Sequence, residues 1–172
     1  MSQTPLTLEI DPRDMRNAFG CFATGIAIVS ACTPEGRMIG ITVNSISSVS
    51  MSPPALSWCI RNQSPNHANF VDARYFGVSI LAHDQEAVCH QFATPREDKF
   101  RGIPVEAGET GVPLIHGAVA AFECERMEAV PCGDHAIVIG KVVGYSWQQQ
   151  RSPLLFYRGA IYSDTYLGHQ CA

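Results

Sequence analysis

Lysine is nearly missing from this chain: Lys99 and Lys141 are the only two. Lys and Arg together number 12 against 16 Asp and Glu, for a formal net charge of −4. Such a balance excludes the basic stripe of a nucleic-acid binder. No C-x-x-C pair occurs, and the cysteines number seven, an odd count. Several lie in apolar runs, where a free thiol acts as a small hydrophobe. A reducing, cytoplasmic setting is therefore expected. No apolar run is long enough to span a bilayer, so no membrane segment is expected. The opening M-S-Q-T-P-L-T-L-E-I lacks the basic and apolar regions of a signal peptide, and Cys171-Ala172 is too near the end for a prenylation box. Neither G-x-G-x-x-G nor a Walker A pattern occurs, so a nucleotide here is not held by a Rossmann or P-loop unit. Repeats, low-complexity segments and interdomain linkers are absent too. The 172 residues, 46% hydrophobic, suit one domain. We expect an arm over 1–10, a domain over 11–166 and a tail over 167–172.

What is present concentrates in residues 39–62, I-G-I-T-V-N-S-I-S-S-V-S-M-S-P-P-A-L-S-W-C-I-R-N. Ile39, Ile41 and Val43 alternate with Gly40, Thr42 and Asn44, the period of a half-buried strand. Residues 55–60 form a second strand candidate. Between them Ser45, Ser47, Ser48, Ser50 and Ser52 fall in what reads as a loop, its exit stiffened by Pro53 and Pro54. A loop held between strands can present N–H and O–H groups as a concave array that binds anions and polar heterocycles. A plain serine-rich hairpin loop has the same composition.

Asp11-Pro12 reads as an N-cap with proline at the first helical position. Met15, Ala18, Phe19 and Phe22 share one face, which predicts a helix over 12–22. A strand over 26–31 follows, then a turn at Pro34-Glu35-Gly36. Ser64-Pro65 is a second N-cap pair, opening a short helix to about residue 71. Arg61, just before it, is placed either to meet a phosphate beside helix N-terminal donors or to sit in solvent. Residues 75–81 read as a strand, 84–92 as a helix, 102–117 as a Gly- and Pro-rich loop and 118–130 as a long strand. In T-P-R-E-D-K-F-R-G, Lys99 can reach an anion and Phe100 can pack on a ring; the alternative is a solvated charge cluster with one buried Phe. Gly133-Asp134-His135 opens a strand running to about residue 145. There Asp134 can orient His135 and fix its tautomer, or the histidine is a turn residue without a role. Glu123, Cys124, Cys132, Asp134 and His135 are close in sequence, but their spacing matches no standard zinc pattern, and no metal is assigned. Tyr157, Arg158 and Gly159 read as ligand contacts or as edge-strand packing. Many short strands with a few short helices predict a mainly β (α+β) fold of barrel type.

Four segments, in order, carry a resemblance over roughly residues 15–162. They are R-N-A-F-G-C-F-A-T-G-I-A-I-V-S, T-V-N-S-I-S-S-V-S-M-S-P-P, P-C-G-D-H-A-I-V-I-G-K-V-V and P-L-L-F-Y-R-G-A-I-Y, with E-D-K-F similar to a short K-D-R-F-type segment. Together they resemble the flavin reductase-like, FMN-binding split-barrel family. The resemblance implies a Greek-key split β-barrel with short peripheral helices and a homodimer. It implies an NAD(P)H:flavin oxidoreductase that passes a hydride to FMN or FAD and supplies reduced flavin to a separate monooxygenase. Flavin contacts carried over are Thr42, Asn44, Ser45, Ser47 and Ser48 at the ring and ribityl chain, Arg61, Ser64 and Lys99 at the phosphate, and Phe100. NADH or NADPH would meet Tyr157, Arg158 and Gly159, with His135 positioning the nicotinamide and Asp134 orienting His135. Ile46, where an aromatic is common, and Met51-Ser52, in place of an L-D-type pair, depart from the family pattern and bear on flavin preference. Two other readings stay open: an enzyme whose tightly bound flavin reduces another acceptor, and a non-catalytic flavin-binding electron carrier.

Overall fold

Asp11 opens the first element as its sequence predicts. Its carboxylate accepts the N–H of Arg13 at 2.7 Å and of Asp14 at 3.1 Å. Those bonds satisfy orphan donors in the first turn of α1 (Pro12–Phe19). The computed structural model describes residues 9–163. Residues 1–8 of the expected arm, 164–166 of the expected domain and the expected tail lie outside them. The helix is shorter than the expected 12–22, because Gly20 caps it and Cys21 and Phe22 continue as turns. Among the described residues, the apolar side chains Met15 and Phe19 of α1 and Phe22 of the turn after it are 44%, 72% and 77% exposed.

After α1 come β1 (Thr24–Gly25), β2 (Ala27–Cys32), β3 (Met38–Val43), β4 (Ser47–Met51) and β5 (Pro54–Arg61). Then follow α2 (His67–Asp72), β6 (Tyr75–Ile80), α3 (Glu86–Ala93), β7 (Val105–Ala107) and β8 (Pro113–Ile115). The chain ends its described part with β9 (Ala120–Cys132), β10 (His135–Trp147), β11 (Leu155–Tyr157) and β12 (Ala160–Tyr162). Seven strands form one antiparallel sheet in the order β3-β2-β6-β9-β10-β5-β4. A three-stranded sheet, β1-β11-β12, and the β7-β8 pair complete a mainly β fold.

That strand order dictates the shape. β3 and β4 are the two edges of the sheet, yet only Asn44, Ser45 and Ile46 join them. A flat sheet of this size is roughly 29 Å from edge to edge, at about 4.8 Å per strand. The connection from Val43 to Ser47 reaches about 14 Å at most. The sheet must therefore curl until its edges approach. They approach without pairing, because β4 ladders only with β5. Ser45 bridges the gap instead: its Oγ accepts the Cys59 N–H at 3.0 Å.

Three local expectations need correcting. Residues 47–51 are not loop but an edge strand, bulged between Ser48 and Ser50, because β5 supplies backbone partners that outweigh the weak strand preference of serine. Residues 105–115, expected as loop, contain the β7-β8 pair. The helix expected from Ser64 begins at His67, because the Ser64 N–H is used by the Arg61 carbonyl and its own carbonyl accepts the His67 N–H.

One core cluster lies inside the curl, around Trp58, Phe70, Phe76, Val78 and Val138. Trp58 meets Phe70 edge-on at 5.4 Å. A second cluster packs α3 on the sheet's other side through Phe92, Phe100, Leu81 and Leu154. Gly140 is required at its place, since a Cβ there would lie 2.5 Å from Phe76 Cζ. Glu123 is a buried carboxylate on β9. It accepts the Glu109 N–H at 3.0 Å, the Thr110 N–H at 2.7 Å and the Thr110 hydroxyl at 2.6 Å. Burial pushes its pKa up, but the Thr110 hydroxyl and the two amides more than offset that, and the net direction is down from 4.5. A lowered folded pKa makes the stabilisation complete above the unfolded value and progressively lost as pH falls through the folded one. Glu123→Gln should therefore cost about 1–3 kcal/mol in urea unfolding near neutrality, and its deficit against the wild type should shrink in acid. A deficit that does not change with pH would contradict the charged clasp.

Candidate functional site

The gap between the sheet's edges opens into a cleft of about 660 Å³. One wall is the end of β3, where Thr42, Val43 and Asn44 run into Ser45. A second is the end of β5 with the turns that follow, Cys59 to Arg61 and Gln63 to Asn66. The segment after α3 adds Pro95, Arg96 and Lys99, and His135 enters from the first position of β10.

Register sets His135. It pairs directly with Arg61 across β10 and β5. The turn before it, Gly133-Asp134, needs the positive φ of 59° that glycine adopts readily. Asn62 pins that turn, its N–H donating to Asp134 O at 2.9 Å and its side-chain amide to Gly133 O at 3.2 Å. Asp134 Oδ1 lies 2.8 Å from His135 Nδ1. The hydrogen bond and charge of His135, with a smaller contribution from Arg61, hold the Asp134 carboxyl below its ordinary pKa. The carboxylate engages Nδ1 and leaves Nε2 as the ring nitrogen available to a ligand.

The hydroxyls have defined polarity. Thr42 Oγ1 donates to the Cys89 carbonyl at 2.7 Å, so towards a ligand it offers lone pairs only. Ser45 accepts from Cys59, so it keeps its own proton to donate. Lys99 is half-buried, and its Nζ donates to the Phe92 carbonyl near the end of α3, at 2.7 Å. Burial pulls its pKa down. Gln91 ties the same loop to the helix through the Lys99 and Arg101 carbonyls, at 2.8 and 3.0 Å. Arg61, Arg96 and Lys99 line the cleft without a single Asp or Glu among the described lining residues, in a chain of net charge −4. Such segregated charge attracts anions.

Seven of the residues singled out from sequence thus meet in one cleft: Thr42, Asn44, Ser45, Arg61, Ser64, Lys99 and His135. The others lie elsewhere. Ser47 and Ser48 are exposed on β4, whose pairing with β5 carries them away from the lining. Phe100 is 6% exposed and packs edge-on against Phe92 at 4.8 Å, so its ring is spent on the core. Asp134 stands behind His135. Tyr157, Arg158 and Gly159 occupy the β11–β12 turn, held towards the end of α1 by the Arg158 N–H to Gly20 O bond of 2.8 Å. Arg158 stacks on Tyr157 at 5.3 Å, and its pKa is raised chiefly by the Cys21 thiol beside it. Among the missed residues Arg96 matters most; it stands three positions before Lys99 in the same quoted segment, and its charge was the available signal.

The sequence profile described as flavin reductase like domain matches residues 19–163. The chain belongs to the flavin reductase-like family. Among flavin reductase-like relatives, the FMN reductase (NADH) of Agrobacterium fabrum is 40% identical over 149 residues, covering 87% of this chain and 84% of the relative. The reductase component of a flavin-dependent trigonelline monooxygenase from Acinetobacter baylyi is 40% identical over 151 residues, 88% of this chain. The chain spans about half of that relative's length, 48%. Among solved flavin reductase-like structures, the NADH:FAD oxidoreductase of Streptomyces globisporus, in complex with NAD and FAD fragments, superposes with a TM-score of 0.86. It is 32% identical and covers 95% of this chain and all of that one, 100%.

The charge pattern of this flavin reductase-like cleft has a direct test. Inorganic pyrophosphate should bind it, and Arg61→Ala and Arg96→Ala should each weaken binding by about tenfold in titration calorimetry, the scale of one charge-assisted hydrogen bond. Added salt should weaken it further. Affinity unchanged in both variants would mean that the cations do not converge on one anion.

Proposed function

We propose that the chain is an NAD(P)H:flavin oxidoreductase that reduces FMN or FAD and hands the reduced flavin to a separate monooxygenase. One observation carries the reading: a single cleft joins ring-edge hydrogen-bonding groups, three cations, and a histidine whose Nδ1 is held by a neighbouring carboxylate. The relatives' names support it, including the choice of NADH and the existence of an oxygenase partner.

The donor set fits a flavin nucleotide. Thr42, Asn44 and Ser45 supply one lone-pair acceptor, one amide and one donor for the ring edge and ribityl chain. Arg61, Ser64, Arg96 and Lys99 meet the phosphate end, and Arg96 joins the three expected from sequence. When both nucleotides are bound, the flavin supplies the hydride acceptor, N5, and the nicotinamide the donor, C4. The chain's task is to hold the two rings in contact. His135 positions the nicotinamide through Nε2, and Asp134 keeps that nitrogen presented. Neither acts as an obligatory base, because hydride transfer requires none.

The active form proposed is a homodimer in the cytoplasm. A second copy covers the apolar side chains Met15 and Phe19 of α1 and Phe22 of the turn after it, which the described residues leave exposed. No helix among the described residues is long and apolar enough to cross a membrane.

Loss of nicotinamide absorbance, followed with FMN, FAD or no added flavin, tests the reaction. Oxidation of NADH only when flavin is supplied is the expected outcome; no oxidation under any combination overturns the proposal. His135→Ala should raise the KM for NADH about tenfold, the scale of one lost polar contact, while the flavin dissociation constant moves less than about twofold. Equal loss of both would show that His135 serves the flavin instead.

A further inference from the structure

A second, smaller cavity of about 250 Å³ adjoins the cleft. The two share Thr42, Val43 and Asn44, so one rigid planar ligand can lie across both. Their chemistry differs. The annex is walled mainly by Ile26, Val43, Cys89, Ala93, Phe156 and Ile161 and holds no arginine or lysine. Cys89 adds no charge, because burial, reinforced by Glu86, pushes its thiol up to about 11. The annex's polar lining is Thr42 and Asn44, at the boundary shared with the cleft, and His90; the Thr42 proton goes to the Cys89 carbonyl, and His90 Nε2 lies 3.4 Å from Glu86.

We propose that this annex is the seat of the methyl-bearing benzenoid edge of the flavin ring, and that Phe156 and Ile161 are the residues that select for it. The inference rests on the flavin reading of the main cleft and deepens it. A flavin ring is amphipathic along its length, with a pyrimidine edge rich in C=O and N–H at one end and two methyl groups at the other. The polar end matches the hydroxyls and cations of the cleft, and the methylated end matches the annex. Size agrees: an apolar cavity of about 150 Å³ suffices for benzene, and 250 Å³ accommodates a benzenoid ring with two methyls. A phosphate finds no fixed cation in the annex. A carboxamide placed beyond the shared Thr42–Asn44 boundary would face the apolar walls of Ile26, Phe156 and Ile161, at a desolvation cost.

The assignment also gives the β11–β12 hairpin a role other than the one expected of it. Phe156 pairs with Thr24 on β1 and with Ile161 on β12. Those two side chains reach the annex, while Tyr157, Arg158 and Gly159 turn towards α1. The hairpin therefore reads the ring's apolar end, not the nicotinamide nucleotide.

The test measures binding, not turnover. Flavin fluorescence titrations of the full chain would compare FMN, an analogue lacking both ring methyls, and an analogue with a dimethylamino group replacing one methyl. The wild type should bind the demethylated analogue roughly tenfold more weakly than FMN, the scale of two buried methyls, and should bind the bulky analogue poorly. In Ile161→Ala the penalty for demethylation should fall below about threefold, and the bulky analogue should gain at least about fivefold, both as less apolar wall remains. Phe156→Leu, which keeps the strand pairing and most of the apolar volume, supplies a second variant if Ile161→Ala unfolds. A wild type that binds FMN but ignores the methyls overturns the annex assignment alone. Equal preference in wild type and both variants does the same. A wild type that binds none of the three removes the flavin reading and the annex with it.

Discussion

Everything in this molecule follows from a connection that is too short for the sheet it joins. β3 and β4 lie at opposite edges of seven strands, and three residues link them. The sheet curls because the backbone cannot stretch, and the curl creates an interior that Trp58, Phe70, Phe76 and Val138 fill. It stops short of closure: β4 ladders with β5 and β3 with β2, and the two edges do not pair with each other. The unclosed seam is where side chains can meet a ligand. Ser45 stands in it with a double duty, satisfying the Cys59 amide while keeping a proton of its own.

The seam divides its walls by chemistry. Strand ends contribute groups of fixed direction, because the ladder and the pinned Gly133-Asp134 turn hold them. The segment after α3 contributes charge, steadied by Gln91 and by Lys99 itself. Beyond Val43 the wall becomes apolar, through residues of the separate β1-β11-β12 sheet. A ligand that carries an anionic group, a polar ring edge and an apolar ring edge is complementary to these surfaces, and a flavin nucleotide carries all three.

Much of this was legible in the chain. The alternation of Ile39, Ile41 and Val43 located β3, Asp11-Pro12 located the start of α1, and Gly133-Asp134-His135 located the turn that presents the histidine. Those signals are local, set by side-chain period, capping chemistry and turn propensity. Ser47 to Met51 defeated the same reasoning, since a run of serines carries no strand pattern and becomes one only beside β5. The short β7-β8 pair likewise lacks a period of its own. Phe100 and Lys99 are neighbours in sequence, yet one faces the core and the other the cleft, a division made by packing against Phe92.

The sequence alone determined the residue types of the site and most of its strands, because periodicity, caps and turns act over a few residues. It also determined the absence of a Rossmann or P-loop unit, which left loop and strand-end groups to hold any nucleotide. Which of those residues share one cleft was decided only by the tertiary structure. Arg61 and His135 are neighbours through cross-strand register, and Arg96 joins them through the return of the chain after α3. Tyr157 to Gly159 are turned away and Phe156 and Ile161 turned in, because a hairpin pairs with β1 by backbone bonds that no single side chain announces.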